Sequence, residues 1–336
     1  MTDTTPNAAD HRSKWNSASL KARFEHLDNI YIKHPAVVKI LNYIQRELES
    51  RASDGRTSGL LVIAPSGAGK SALIKHLTSR FPKTVTDEYR TCPVIAFTVP
   101  TMPSPKTMGA AFLRAMNDVL WDRGTAGQKL DRINSLLVPA KTQLVLIDNF
   151  QDIPTRRKSR GVLNVATWVR DICDINFGGV VVALGTAEAA QVRDANEQVQ
   201  RRIKARLTLP VFSGETEGEI REFARLLRGL DKNLPLAEES SIYLGNLPRR
   251  IHFATRGNFD YLIKLLKKAI ELAVKAGLER ITIQTLHDAF DEEHQDYACS
   301  ENPFSADYDW ASLALPGQVF HNVAFAVDIQ AEEANA

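Results

Sequence analysis

Eight residues, APSGAGKS from Ala64 to Ser71, bring two glycines, a lysine and a hydroxyl together. They stand between an apolar run, GLLVIA (59–64), and a helical pattern, KSALIKHLTSRF. Gly67 and Gly69 let backbone N–H groups turn inward around an anion, with Pro65, Ser66 and Ala68 completing the loop. Lys70 adds a point charge, Ser71 offers a hydroxyl to a divalent cation, and the helix start contributes a favourable dipole. Strand, glycine-rich loop and helix in that order form the setting in which such a loop cradles nucleotide phosphates. The motif ordinarily opens on Gly. Ala64 stands there, so no positive φ is expected at that position.

A second polar position closes the apolar run LVLI (144–147): Asp148, about 80 residues after Lys70, where an acid holds Mg²⁺ through water. The next residue usually orients and deprotonates the attacking water, a contribution of about 10²–10⁴ in rate. Here it is Asn149, whose amide can position a water but cannot take its proton. ATP and Mg²⁺ binding are therefore expected to persist while hydrolysis is slow. Asp152 is expected on another face and is a poor substitute. A further strand pattern, VVVALG (180–185), leads into Thr186, where a polar side chain can touch the γ-phosphate or its attacking water. In ANEQVQRRIKARLTLP, Arg201, Arg202, Lys204 and Arg206 crowd the end of one element. They form either a solvated basic helix end or the source of an arginine that reaches a neighbour's γ-phosphate, worth about 10³–10⁵ in rate.

The elements that must position these residues alternate. Short apolar strands at 59–64, 94–99, 144–147, 180–185 and 206–211 are separated by helical patterns, which predicts a five-stranded parallel sheet covered on both faces. Before them, PAVVKILNYIQRELES (35–50) carries one apolar stripe with Pro35 suited to a first turn. From about Gly214 the strand patterns stop and EGEIREFARLLRGL, SSIYLGNLPRRIHFA, NFDYLIKLLKKAIELAVKAG and TIQTLHDAFDEEH read as helices. The expected organisation is a flexible N-terminus (1–24), an α/β core (25–213), a helical lid (214–298) and an acidic C-terminal tail (299–336).

Composition is that of a soluble globular chain, with 44% apolar and 24% charged residues. No run reaches the ~18 apolar residues of a membrane span, no secretory signal is present, and Cys92, Cys173 and Cys299 make no metal or disulfide pattern; a cytoplasmic setting is expected. The net charge of +2 hides an asymmetry. No Lys or Arg follows Arg280, and 11 acids do, so residues 1–280 carry +13. A basic body with an acidic end suits a polyanion binder with a protein-docking tail, or simply two solvated surfaces.

The chain resembles the TniB/TnsC/MuB group of AAA+ transposition regulators. APSGAGKS, LVLIDNFQDI, LNVATWVRDI, VALGTAEA, EQVQRRIKARLTLP and NFDYLIKLLKKAIELAVKAGLERITIQTLHDAF carry the likeness, over about residues 25–295. The P-loop and acidic strand are shared by many ATPases; the GT-A and Q-x-x-x-R-to-LP spacings are more specific. The resemblance implies a P-loop AAA+ fold with a helical lid, places Thr186 on sensor 1 and puts Arg202 on the arginine finger. It departs at Asn149, where the family has Glu, and at Asp260, where many lids have an arginine and for which Arg256 is the nearest substitute.

The resemblance also implies ATP-dependent assembly on duplex DNA as a ring or helical filament, with a transposase and a target-selecting protein as partners. Two loops offer phosphate contacts without sequence choice: Lys106 and Thr107 in PSPKTMGA, and Arg156, Arg157, Lys158 and Arg160 in PTRRKSRG. Neither interleaves aromatics, so base stacking is not expected. In 299–336, Phe304, Trp310, Phe320 and Phe325 are either docking anchors or parts of a lid extension or solubilising tail. Two other readings are an AAA+ loader or signalling ATPase, and a P-loop small-molecule kinase; the missing Arg-rich nucleotide lid argues against the kinase.

Overall fold

The computed structural model describes residues 12–84, 91–154, 160–295, 301–310, 313–315 and 318–320, with the backbone alone at 160–164. The chain divides into two units, 33–210 and 1–32 with 211–336. The first helix, α1 (Leu20–Leu27), belongs to the second unit.

Unit 33–210 is an α/β sandwich. Helix α2 (Pro35–Asp54) precedes β1 (Ser58–Ile63), and α3 (Lys70–Arg80) follows the glycine-rich loop. Then come β2 (Val94–Thr98), α4 (Pro105–Ala115), α5 (Ala126–Leu137), β3 (Leu144–Asp148), α6 (Arg160–Asp174) and β4 (Val180–Gly185). Two short helices, α7 (Glu188–Asp194) and α8 (Glu197–Arg202), lead to β5 (Ala205–Thr208). The five strands form one parallel sheet in the order β2-β3-β4-β1-β5. Each crossover therefore needs a helix, which is why strand and helix alternate in sequence. The fifth strand stops at Thr208 rather than Val211.

Period-two alternation sends successive strand residues to opposite faces of the sheet. Leu61, Ile95, Val145, Ile147 and Val181 pack with Phe112, Ile133, Trp168 and Ile172 from α4, α5 and α6. The rings of Phe97, Phe112 and Trp168 meet edge-on or tilted at 5.6–6.3 Å between centroids. Register aligns Ile63 with Gly185 and Thr98 with Asp148, so the ends of β1, β3 and β4 share one edge. In open parallel sheets the carboxyl ends of the strands are where ligands bind.

The second unit is helical: α1, α9 (Glu217–Asp231), α10 (Leu247–Thr255), α11 (Phe259–Lys275) and α12 (Ile283–Glu293). Thr216 with Glu219 and Thr282 with Thr285 form capping boxes that start α9 and α12. Residues 241–246, read from sequence as helical, form turns in which Ser241 and Gly245 hold positive φ.

The described segments nearest both chain ends pack into this unit, which corrects two expectations. Residues 12–24 are not a flexible leader: Trp15 and Arg23 are buried, and only 1–11 lie outside the described residues. The Arg23 guanidinium donates to both carboxylate oxygens of Glu279 at 2.9 Å, to Pro235 O at 2.8 Å and to Trp15 O at 2.5 Å. The described part of 299–336 is not a free tail. Phe304, Leu313, Val319 and Phe320 join the helical core beside Phe290 and Leu266. Arg250, itself buried, donates to Pro303 O at 2.5 Å and Ser305 O at 2.7 Å. Trp310 lies under Arg249 and Arg250 and against Phe253. Phe304 and Phe320 are core residues rather than docking anchors, and Phe325 lies outside the described residues. Single-sequence patterning misses such segments because their partners lie far along the chain, 212 and 256 positions for Arg23 and 53 and 55 for Arg250. No described helix is long and apolar enough to cross a membrane.

Candidate nucleotide site

The loop 64–71 leaves β1 and enters α3 at Lys70. Gly67 (φ 74°) and Gly69 (φ 100°) take the left-handed conformation. At Gly69 a Cβ would meet nothing within 4 Å, so backbone freedom rather than space requires glycine there. Ala64 is not among the positive-φ residues, as expected. Its N–H continues the β1–β4 ladder onto Gly185 O at 2.8 Å. Pro65, Gly67, Gly69 and Lys70 are half-buried, Ala68 is buried, and Ser66 and Ser71 are exposed. Lys70 Nζ donates to Ala64 O at 2.8 Å and Pro65 O at 3.0 Å, folding its ammonium onto the loop. Burial pulls the Lys70 pKa below the ordinary lysine value, and the Asp148 carboxylate partly restores it.

Asp148 ends β3 half-buried. Its Oδ1 accepts the Asn149 N–H at 2.9 Å; among the described residues Oδ2 has no hydrogen-bond partner. Ser71 and Asp148 thus supply two hard oxygen donors, the kind of partial set with which Mg²⁺ keeps several waters. The described residues contain no group of three or more His, Cys, Asp or Glu placed to hold a metal. Asn149 adopts φ 55°, ψ 44° and starts the 3₁₀ turn Phe150–Asp152. Asn tolerates this left-handed conformation better than longer side chains do. Asp152 is exposed at the far end of that turn.

Thr186 follows β4 on the same edge. Its N–H donates to Gln151 Oε1 at 3.1 Å, and its hydroxyl donates to the Glu188 carboxylate. Gly185 makes room for this, since a Cβ there would lie 2.6 Å from Gln151 Oε1. Gln151 and Glu188 were not singled out as site residues from sequence. Gln151 lies inside the LVLIDNFQDI motif and Glu188 inside VALGTAEA, two residues after Thr186. The Thr186 hydroxyl and the start of α7 hold the Glu188 carboxyl below the usual range.

One further candidate in this unit lies away from this edge. Arg202 ends α8, and its carbonyl would lie 2.6 Å from a Cβ on Gly59, at the opposite end of β1. A strand's length, about 15 Å or more, stands between it and its own loop. Its guanidinium ion-pairs with Asp174 while remaining partly exposed. Arg201 pairs with Glu197. Lys106 is exposed, but Thr107 is committed: its Oγ1 accepts Ser104 N at 2.8 Å within the box that starts α4. Arg160 opens α6, and Arg156, Arg157 and Lys158 lie outside the described residues. In the helical unit, Asp260 pairs with Lys264 at 2.9 Å in the first turn of α11, and Arg256 caps α10 at φ 48°.

Among solved structures the chain is similar to the Aeropyrum pernix ORC2 protein in its ADPNP–ADP complexes, at 18% identity and TM-score 0.55 over 76% of this chain and 70% of that one. It is also similar to Cdc6p from Pyrobaculum aerophilum, at 13% identity and TM-score 0.55 over 78% and 68%. The A. pernix ORC1 protein in complex with DNA gives 16% identity and TM-score 0.53 over 80% and 67%. At these identities the likeness is one of fold, a P-loop AAA+ sheet followed by helices. No curated protein matches the sequence. The family described as Bacterial TniB protein matches residues 23–213, more than half of the chain, and the chain belongs to that family.

Proposed function

We propose that this chain is an ATP-dependent DNA-binding adaptor of DNA transposition. In this reading it is a cytoplasmic protein that oligomerises with ATP on duplex DNA, marks a target, and engages a transposase and a target-selecting partner. The observation that carries the reading is the convergence of Lys70, Asp148 and Thr186 on one sheet edge in a TniB-family chain. Lys70 would exchange the carbonyls of Ala64 and Pro65 for the β- and γ-phosphates, which its flexible ammonium allows. The N–H groups of 65–71 would hold phosphate oxygens, and Ser71 with Asp148 would hold Mg²⁺. Bound ATP supplies the phosphoanhydride. Asn149 can orient water but cannot accept its proton, so turnover is slow and assemblies are long-lived.

Arg202, on the edge opposite its own loop, suits action on a neighbouring copy's γ-phosphate, with release from Asp174 as the cost. Lys106 and the 156–160 stretch would meet DNA phosphates. Electron microscopy with ATP, Mg²⁺ and duplex DNA tests the reading: DNA-dependent rings or filaments are expected, lost in Lys70→Ala. Absence of any DNA-dependent oligomer at saturating ATP would refute it.

A further inference from the structure

The residue after Asp148 lacks a basic carboxylate, so the proton of an attacking water needs another acceptor. Among the described residues, one carboxylate hydrogen-bonds a side chain of this edge that faces the reaction in the proposed reading: Glu188, which accepts the Thr186 hydroxyl. Thr186 is fixed from two sides. Its N–H is tied to Gln151, three residues beyond Asp148, and it follows Gly185, whose carbonyl receives the N–H of Ala64 at the start of the phosphate loop. Thr186 thus follows β4 at the edge where β3 ends on Asp148 and β1 leads into the Lys70 loop, and the Glu188 carboxylate lies one hydrogen bond behind its hydroxyl. Its depressed pKa keeps Glu188 ionised at neutral pH and makes it a weak base. Asp152 makes no hydrogen bond to Thr186, and in the proposed reading Asp148 is committed to Mg²⁺.

We propose that Glu188, acting through the Thr186 hydroxyl, is the proton acceptor for ATP hydrolysis in this chain, in place of the carboxylate missing at position 149. The inference rests on the reading that the chain hydrolyses ATP. The water oxygen bonds to the γ-phosphorus as the bond to the β–γ bridging oxygen breaks, and that electron pair leaves on ADP. The water proton passes to Thr186 Oγ1 while the Thr186 proton passes to a Glu188 carboxylate oxygen. Glu188, exposed on its other side, then returns the proton to solvent.

A double-mutant cycle distinguishes this role from that of a residue that merely starts α7. Phosphate release and the affinity for a fluorescent ATP analogue are measured for the full chain, Glu188→Gln, Asn149→Glu and the double variant, with thermal melts of each. The expected result is a loss of about 10²-fold in kcat for Glu188→Gln at unchanged analogue affinity and melting temperature. In the Asn149→Glu background the same change costs less than about 3-fold, because the direct base is restored. Equal losses in both backgrounds, a loss explained by weaker analogue binding, or no loss at all would overturn the inference while leaving the ATPase reading intact. Analogue binding with no phosphate release from the full chain or from Asn149→Glu would overturn the hydrolysis reading and this inference with it.

Discussion

Asn149 shows how one side chain answers to two demands. Chemically it denies the site a direct base. Conformationally it suits a left-handed backbone at φ 55° that turns β3 into the 3₁₀ segment carrying Gln151. Asn149→Glu therefore pulls in two directions. Phosphate release is expected to rise by up to about 10²–10⁴-fold, and chemical denaturation to show a loss of about 1–2 kcal/mol. Unchanged turnover with that stability loss would mean that position 149 does not face the attacking water. The asparagine was legible in the sequence; its backbone conformation was not, because φ at one residue depends on where the following turn must go.

At the scale of elements, two contacts within the helical unit invite measurement. His252 on α10 donates from Nε2 to Phe212 O at 2.8 Å, packs edge-on against Phe223, and fills the space that a Cβ on Gly214 would take. Burial pulls its pKa below the ordinary histidine value; the bond to Phe212 and the charge of Glu219 oppose that, and Arg256 reinforces it. The unfolded chain then binds the proton more readily. The stability His252 contributes is fully present above about pH 6.5 and is lost as pH falls through its lower native value. Thermal melts from pH 7.5 down to 5 should show a fall that His252→Gln flattens; parallel curves would remove the imidazole from the account. Arg23→Met tests the second contact. It leaves Glu279 and two buried carbonyls without their donor, and unfolding free energy should drop by about 3 kcal/mol. The Glu279 carboxyl is held below the usual range chiefly by that guanidinium, so its share of the wild-type advantage is present above about pH 4.3 and lost as pH falls through the lower native value, while the share from the two carbonyls persists.

For the molecule as a whole, the chain termini and the charge asymmetry carry the tests. Truncation after residue 298 removes Phe304, Leu313, Val319 and Phe320 from the helical core and strips Arg250 of two acceptors. Apolar burial alone makes that loss on the order of 5 kcal/mol or more, so the shortened chain should melt far earlier or fail to fold. A truncated chain with an unchanged melt would return 301–320 to the role of a separable docking tail. The +13 carried by residues 1–280 frames the DNA reading. Contacts to about six phosphates should weaken binding by about 10³–10⁵-fold between 50 and 200 mM salt, and a flat response would rule out phosphate contacts as the source of affinity.

The sequence by itself determined the parts whose physics is local. Glycine spacing, lysine and hydroxyl fixed the phosphate loop. Strand-helix alternation fixed a five-stranded parallel sheet, and Asp148 and Thr186 were recognisable as polar residues ending apolar strands. Thr107 was legible only as a hydroxyl near a lysine, and the fold spends it on a helix cap. Tertiary structure alone decided which distant groups meet: Gln151 with Thr186 at the sheet edge, Arg202 with Asp174 on the far edge, Arg23 with Glu279, and Arg250 with the 303–305 carbonyls. The reason is the same in each case. A buried or strongly charged polar group must find its complement wherever the packed chain places one, and that place is set by the assembled sheet and helices rather than by neighbours in sequence.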